Sequence, residues 1–98
     1  MIWVKIYRTP QDTLLAAADE DLMGKEFKDG KYTIKVKESF YKDMLVTEEQ
    51  FAELFPTCTV ANLVGERTVS KAVEIGYISP SNIFRIKGVP HAQFSILE

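Results

Sequence analysis

The segment from Asn62 to Arg67 combines residue types that proteins use to hold an anion. Gly65 permits a tight turn and a close approach of ligand to backbone. The N–H groups that open a following helix can bind a negative charge. Arg67 would support such binding, whereas Glu66 would oppose it. We therefore predict a binding site that includes Asn62, Gly65, Glu66 and Arg67.

These four residues also fit a structural role. Gly65 would make the turn, Asn62 would cap the helix or the loop, and Glu66 would complement the helix dipole. One glycine does not distinguish the two interpretations, and both stay open at the level of the sequence.

A second polar segment, Gly88-Val-Pro-His91-Ala-Gln93, follows a later predicted strand. His91 is the single histidine, and an imidazole can act as an acid, a base or a hydrogen-bond anchor at neutral pH. Ligands tend to bind beyond the carboxyl ends of parallel strands, where we expect both segments to meet. We add Gly88, His91 and Gln93 to the predicted binding site. A tight turn with a surface histidine is the alternative.

Standard catalytic motifs are absent. The sequence has no Gly-x-Gly-x-x-Gly, no phosphate loop, no Gly-x-Ser-x-Gly and no Cys-x-x-Cys. Cys58 and His91 formally offer a nucleophile and a base, but Cys58 begins a predicted core strand, where cysteine behaves as a small apolar residue. One cysteine and one histidine supply no recognisable zinc site. We predict no catalytic residue, no metal and no cofactor, and we favour a protein that is not an enzyme.

The elements that position these segments follow from periodicity and capping residues. One helix is predicted over about 47–55, where Thr47 and Gln50 fit a capping box, and another over about 66–76. Strands are predicted over residues 2–7, 13–18, 58–64, 83–87 and 92–97. The segment 58–87 reads as a right-handed βαβ unit with parallel strands. Together these helices and strands predict an α+β (mixed α/β) fold with one mixed sheet and N-terminal hairpins, in a single domain over 1–98.

The segment from Phe27 to Tyr32 predicts a hairpin, with Asp29-Gly30 at the centre of a two-residue turn. That turn places Phe27 opposite Tyr32. The second strand would point Tyr32, Ile34 and Val36 inward and lysines outward. A lysine-lined face keeps a strand soluble or blunts a sheet edge; the alternative is a stripe that binds phosphate.

Composition and charge reduce the number of function classes that fit this sequence. The net charge of −2 argues against a protein that grips nucleic acid mainly by its phosphates. The charge is uneven, however, since residues 25–42 carry +3 and residues 43–58 carry −4. A lone cysteine forms no internal disulfide, no apolar run approaches the ~20 residues of a membrane span, and the N-terminus alternates rather than forming a signal peptide. We expect a cytoplasmic domain.

Several segments together resemble one known family. They are Leu22-Met-Gly24, Ser39-Phe-Tyr41, Asn62-Leu-Val-Gly-Glu66, Val69, Ala72–Gly76, Ile78 and Ile86-x-Gly-Val-Pro-His-Ala-Gln93. The pattern resembles a small archaeal family of conserved hypothetical proteins, domain-of-unknown-function family 424, over nearly the whole chain. Members of that family often carry a cysteine where Ala17 and Ala18 stand here, which weakens any cysteine-based mechanism. The resemblance implies a stand-alone archaeal domain and supplies no activity for it. The family is loosely associated with translation and ribosome maintenance.

Three functions are therefore open. The leading hypothesis is a non-enzymatic binding module with protein or ribonucleoprotein partners in archaeal information processing. The second is a small anionic-ligand binder or enzyme at the 62–67 and 88–93 loops. The third is a homo-oligomeric structural domain that associates through Trp3, Tyr7 and Leu97. We find no direct signal for sequence-specific nucleic-acid binding or for membrane binding.

Overall fold

A computed structural model describes residues 1–96, which form two sheets and three α-helices joined by short turns. The elements are β1 (Ile2–Arg8), β2 (Thr13–Asp19), β3 (Glu26–Asp29), β4 (Tyr32–Lys35), α1 (Glu38–Tyr41), β5 (Met44–Val46), α2 (Glu48–Leu54), β6 (Val60–Val64), α3 (Glu66–Glu74), β7 (Phe84–Ile86) and β8 (Val89–Ser95). The α+β class, the mixed sheet and the two main helices are confirmed. Within residues 1–96, no helix has the length and apolar character that a membrane crossing requires.

The main sheet has six strands in the order β5-β1-β2-β6-β8-β7. β2 and β6 pair in parallel, and the other neighbours are antiparallel. β6 and β7 run in the same direction, as the predicted βαβ unit requires, but β8 lies between them. The carboxyl ends of the neighbouring parallel strands are therefore those of β2 and β6, at Asp19 and Val64.

β8 begins three residues earlier than predicted, at Val89 rather than Ala92. Lys87 and Gly88 have φ values of 53° and 77°, the backbone of a two-residue type I′ turn, so pairing resumes at once between Ile86 and Val89. The strand start predicted at residue 92 is therefore wrong. Pro90 is tolerated inside the strand, where its carbonyl accepts a hydrogen bond from Gly65.

The β3–β4 hairpin forms a separate two-stranded sheet, and its register differs from the predicted one. Phe27 lies opposite Ile34, not Tyr32, and Gly30 (φ 62°) is the first central residue of the turn rather than the second. This register packs Phe27 and Ile34 against the main sheet, which stabilises it over the predicted pairing. Tyr32 is left at the tip with 49% of its surface exposed, so the prediction that it points inward is wrong.

The two faces of the main sheet are covered unequally. The helices α2 and α3 cover one face, around the fully buried Phe51, Phe55 and Leu63. The capping box of Thr47 and Gln50 that begins α2 is confirmed by reciprocal bonds of 3.1 and 2.9 Å. The β3–β4 hairpin and α1 cover half of the second face, over Ala16, Ala18, Val64 and Ile86.

The other half of the second face carries half-buried and exposed side chains and is lined by shallow clefts. We call this half the open face. Its side chains are Leu14, Val60, Asn62, Phe84, His91, Gln93 and Ser95.

Candidate functional site

The two segments predicted to form a site do meet. The Gly65 N–H donates to the Pro90 carbonyl at 2.9 Å. The Arg85 guanidinium donates to the Glu66 carboxylate at 2.5 Å and to the Gly88 carbonyl at 3.1 Å. Together the segments border a cleft of about 250 Å³ lined by Asp19, Asp21, Leu22, Glu66, Arg67, Gly88, Val89 and Pro90. We call it the rim cleft.

The start of α3 at the rim cleft already holds an anion from its own chain. The Asp19 carboxylate, only 5% exposed at the end of β2, accepts the backbone N–H groups of Arg67 and Thr68 at 3.0 and 2.8 Å. It also accepts the Thr68 hydroxyl at 2.7 Å. Those two N–H groups are therefore not available to an external anion, contrary to the prediction. Asp19 supplies the cap that Gly65, which has no side chain, lacks.

Two features of the structure require glycine at position 65. Its φ of 109° lies in a region that other residues rarely adopt. A Cβ added there would lie 2.3 Å from the Asp19 carboxyl carbon. The close approach that we predicted for a ligand is therefore made by Asp19, and the structural interpretation of Gly65 is the one that this geometry supports.

Asn62, His91 and Gln93 lie on the open face rather than at the rim cleft. In the β6–β8 ladder Asn62 pairs with Gln93, and His91 pairs with Val64, so their side chains share one face. His91 Nε2 lies 2.8 Å from Asn62 Oδ1. The seven predicted site residues thus divide into this group of three and a rim group: Gly65, Glu66, Arg67 and Gly88.

The His91–Asn62 bond assigns the proton on the imidazole. Burial lowers the pKa of His91 below its ordinary value of 6.5, so the ring is neutral at neutral pH. An amide oxygen only accepts, and Nε2 therefore carries the hydrogen when the bond is formed in this orientation. Nδ1 then remains a hydrogen-bond acceptor, and the Asn62 amide nitrogen keeps its donors for other partners.

Two exposed aromatic rings adjoin His91, and sequence analysis missed their role. Phe84 pairs with His91 across β7 and β8, and its ring lies edge-on to that of Tyr32, with centroids 5.2 Å apart and planes at 70°. A cleft of about 250 Å³ between β4 and β7 is lined by Tyr32, Thr33, Ile34, Lys35, Tyr41, Phe84, Ile86 and His91. No local signal reveals it, because the two rings come from different sheets.

Cys58 belongs to the other side of the molecule. It is 2% exposed, packs with Phe51 and Phe55 under the helices, and donates to the Leu54 carbonyl at 3.3 Å. Burial raises the pKa of its thiol, which disfavours the nucleophilic thiolate. Cys58 and His91 lie on opposite faces of the sheet, so they do not form a catalytic pair.

The architecture defines a small α+β protein with one half of a sheet face left uncovered and a capped helix at its rim. The chain belongs to the family described as "Protein of unknown function (DUF424)", which matches residues 7–97. It is similar to an uncharacterized conserved protein of known crystal structure from the archaeon Methanopyrus kandleri, at 27% sequence identity and a TM-score of 0.82. That alignment covers 99% of this chain and 95% of the other. No curated protein is significantly similar to the chain.

Proposed function

We propose that this protein is a non-enzymatic binding module that works with a protein or ribonucleoprotein partner in archaeal information processing, in translation or ribosome maintenance. The open face is the proposed binding surface. The observation that carries this proposal is the half-uncovered sheet, which presents an imidazole, two amides and an aromatic ring beside a lysine-rich hairpin.

The geometry of the open face suits binding better than catalysis. The neutral His91 ring is held by Asn62, and Cys58, the single thiol of the chain, lies on the opposite face of the sheet, so no thiol accompanies the imidazole. Gln93 is exposed beside this pair and adds further donors and acceptors. Such uncharged hydrogen-bonding groups on neighbouring strands can fix the orientation of a bound ligand.

The cellular setting is also part of the proposal. The similar protein of known structure comes from an archaeon, which supports an archaeal source. A cytoplasmic location accords with a single buried cysteine that forms no disulfide within the chain.

Sedimentation of the tagged protein in a native lysate, with and without ribonuclease, tests the proposal. A matched pair of variants locates the surface: Gln93→Glu adds one negative charge to the open face, and Ser70→Glu adds one to the exposed side of α3. We expect the wild type and Ser70→Glu to travel in a complex and Gln93→Glu to be released. The proposal fails if the wild type sediments alone in both conditions, or if both variants are released equally.

Binding of a small anion at the rim cleft remains a prediction, because Arg67 lines this cleft and is exposed. Phosphorylated metabolites that bind there would raise the melting temperature by mass action. Arg67→Ala would abolish the rise in that case, and a broad metabolite screen without any shift would leave the alternative unsupported.

The homo-oligomer alternative also stays a prediction. Tyr7 is half-buried, and its ring stacks on Phe40 of α1 at 5.3 Å, while Lys42 lies 5.3 Å from the Trp3 ring. These neighbours reduce the apolar surface that association would use. Leu97 lies outside the described residues. Light scattering at high protein concentration would decide the question.

A further inference from the structure

The structure also indicates the chemistry of the partner. We infer that the cleft between β4 and β7 binds single-stranded RNA, with a base stacked on the Tyr32–Phe84 ring pair. This inference rests on the proposed function, because the cleft adjoins the open face and shares Phe84 and His91 with it.

The ring pair is the first argument. Tyr32 and Phe84 are 49% and 45% exposed, although burying such rings would be favourable. The two rings are in edge-to-face contact, with planes at 70°, and both residues line the cleft. A flat base can stack on one ring while its edge meets the other. Unpaired bases are commonly recognised by stacking on aromatic side chains.

The charge around the cleft is the second argument. Lys31 Nζ lies 5.6 Å from the centroid of the Tyr32 ring, and Lys35 lines the cleft. Glu26 is shared by Lys35 and Lys28 at 3.7 and 3.3 Å, so one carboxylate faces two ammonium groups. With Asp29 included, the hairpin from Glu26 to Lys35 carries three lysines against two carboxylates, and this net charge of +1 favours a phosphate backbone that passes the rings.

The opposite face of the sheet carries the opposite charge. Glu48, Glu49 and Glu53 lie on α2, which covers the other face. A polyanion is therefore repelled from the helical side and attracted to the hairpin side, although the whole chain has a net charge of −2. The uneven charge distribution of the sequence therefore orients the hairpin side of the protein toward a polyanion.

The polar centre of the open face is the third argument. His91 follows Phe84 across the sheet, and Asn62 and Gln93 follow His91. Imidazole and amide groups at this spacing can meet the hydrogen-bonding edges of bases adjacent to the stacked one. The exposed Gln93 amide can also bond a ribose 2′-hydroxyl, which DNA lacks, and this contact would favour RNA over DNA. A duplex keeps its bases stacked inside and would not present one to the rings.

Fluorescence anisotropy with the purified protein and a labelled single-stranded RNA of about 10 nucleotides, at low salt, tests the inference. Phe84→Ala and Tyr32→Ala should each weaken binding by about 5- to 150-fold. Tyr32→Phe should retain affinity, because it keeps the stacking ring. Met44→Ala is the matched control, since Met44 is 46% exposed on β5 at the far edge of the same sheet, and it should bind like the wild type.

A salt series adds an independent readout. Each phosphate contact by a lysine contributes about 0.7 to the slope of log affinity against log salt for a single strand. Lys31→Ala and Lys35→Ala should each reduce that slope by about this amount, whereas Lys71→Ala on α3 should leave it unchanged.

The inference is overturned if the wild type does not bind RNA at low salt, or if Met44→Ala weakens binding as much as Phe84→Ala. Equal affinity for single-stranded DNA of the same sequence also overturns it. The proposed function is judged separately: a complex that resists ribonuclease in the lysate and is lost with Gln93→Glu supports a protein partner on the open face, even if purified RNA does not bind.

Discussion

Replacing Gly65 by alanine should destabilise the protein through one identified contact. The new Cβ would lie 2.3 Å from the Asp19 carboxyl carbon, so Asp19 must move away from the start of α3. Losing this cap costs about 0.5–2 kcal/mol. The φ of 109° adds about 1–3 kcal/mol of backbone strain for a residue with a side chain. We expect a total loss of roughly 1.5–5 kcal/mol.

Gly76→Ala is the matched control. Gly76 also has a positive φ, 87°, but no atom lies within 4 Å of a Cβ added there. Its substitution should cost only the conformational strain, about 1–2 kcal/mol. The two variants therefore differ by the displacement of Asp19 and by the difference in backbone strain, which the Asp19→Ala background separates.

Urea unfolding followed by the fluorescence of Trp3, the single tryptophan, measures both variants. In the Asp19→Ala background, Gly65→Ala should cost less than in the wild type, because the clashing carboxylate is gone. Equal losses for Gly65→Ala and Gly76→Ala, or strict additivity of Gly65→Ala with Asp19→Ala, would refute the reasoning.

Three further predictions concern other parts of the molecule. Because burial lowers the pKa of His91, the unfolded chain takes up a proton before the folded protein does, and the free energy of unfolding should fall as the pH drops below 6.5. His91→Gln should flatten this decline in urea titrations at several pH values. A decline that is unchanged in the variant would contradict the prediction. Lys87→Asn should raise the free energy of unfolding by roughly 1 kcal/mol, because asparagine tolerates the φ of 53° in the type I′ turn; no gain in thermal unfolding would contradict it. Cys58 should react with a thiol reagent far more slowly in the folded protein than in urea, since burial raises its pKa; similar rates in both conditions would count against this account.

Sequence patterns predicted the parts of the fold that depend on interactions between residues close together in the chain. The capping box at Thr47 and the periodic strands come from residues close in the chain, and the structure confirms them. The register of the β3–β4 hairpin was wrong, because turn preference alone favoured Asp29-Gly30 at its centre. Burial of Phe27 and Ile34 against a distant sheet decided the pairing instead.

The candidate site was only partly accessible to sequence analysis for the same reason. His91 and Asn62 were predicted as site residues, and they bond across two neighbouring strands. Asp19 was not predicted as a site residue, because its partners on α3 are 48 and 49 residues away in the chain. The pairing of Tyr32 with Phe84 depends on how the small sheet packs against the edge of the large one, which no sequence spacing encodes.

The central claim is that the open face is the binding surface, and an amide NMR titration with the single-stranded RNA tests it most directly. Chemical shifts should change in one contiguous group around Tyr32, Phe84, His91 and Gln93, and the signals of α2 and α3 should stay in place. Changes centred on Arg67 and Gly88 at the rim cleft, or on the helical face, would contradict the account.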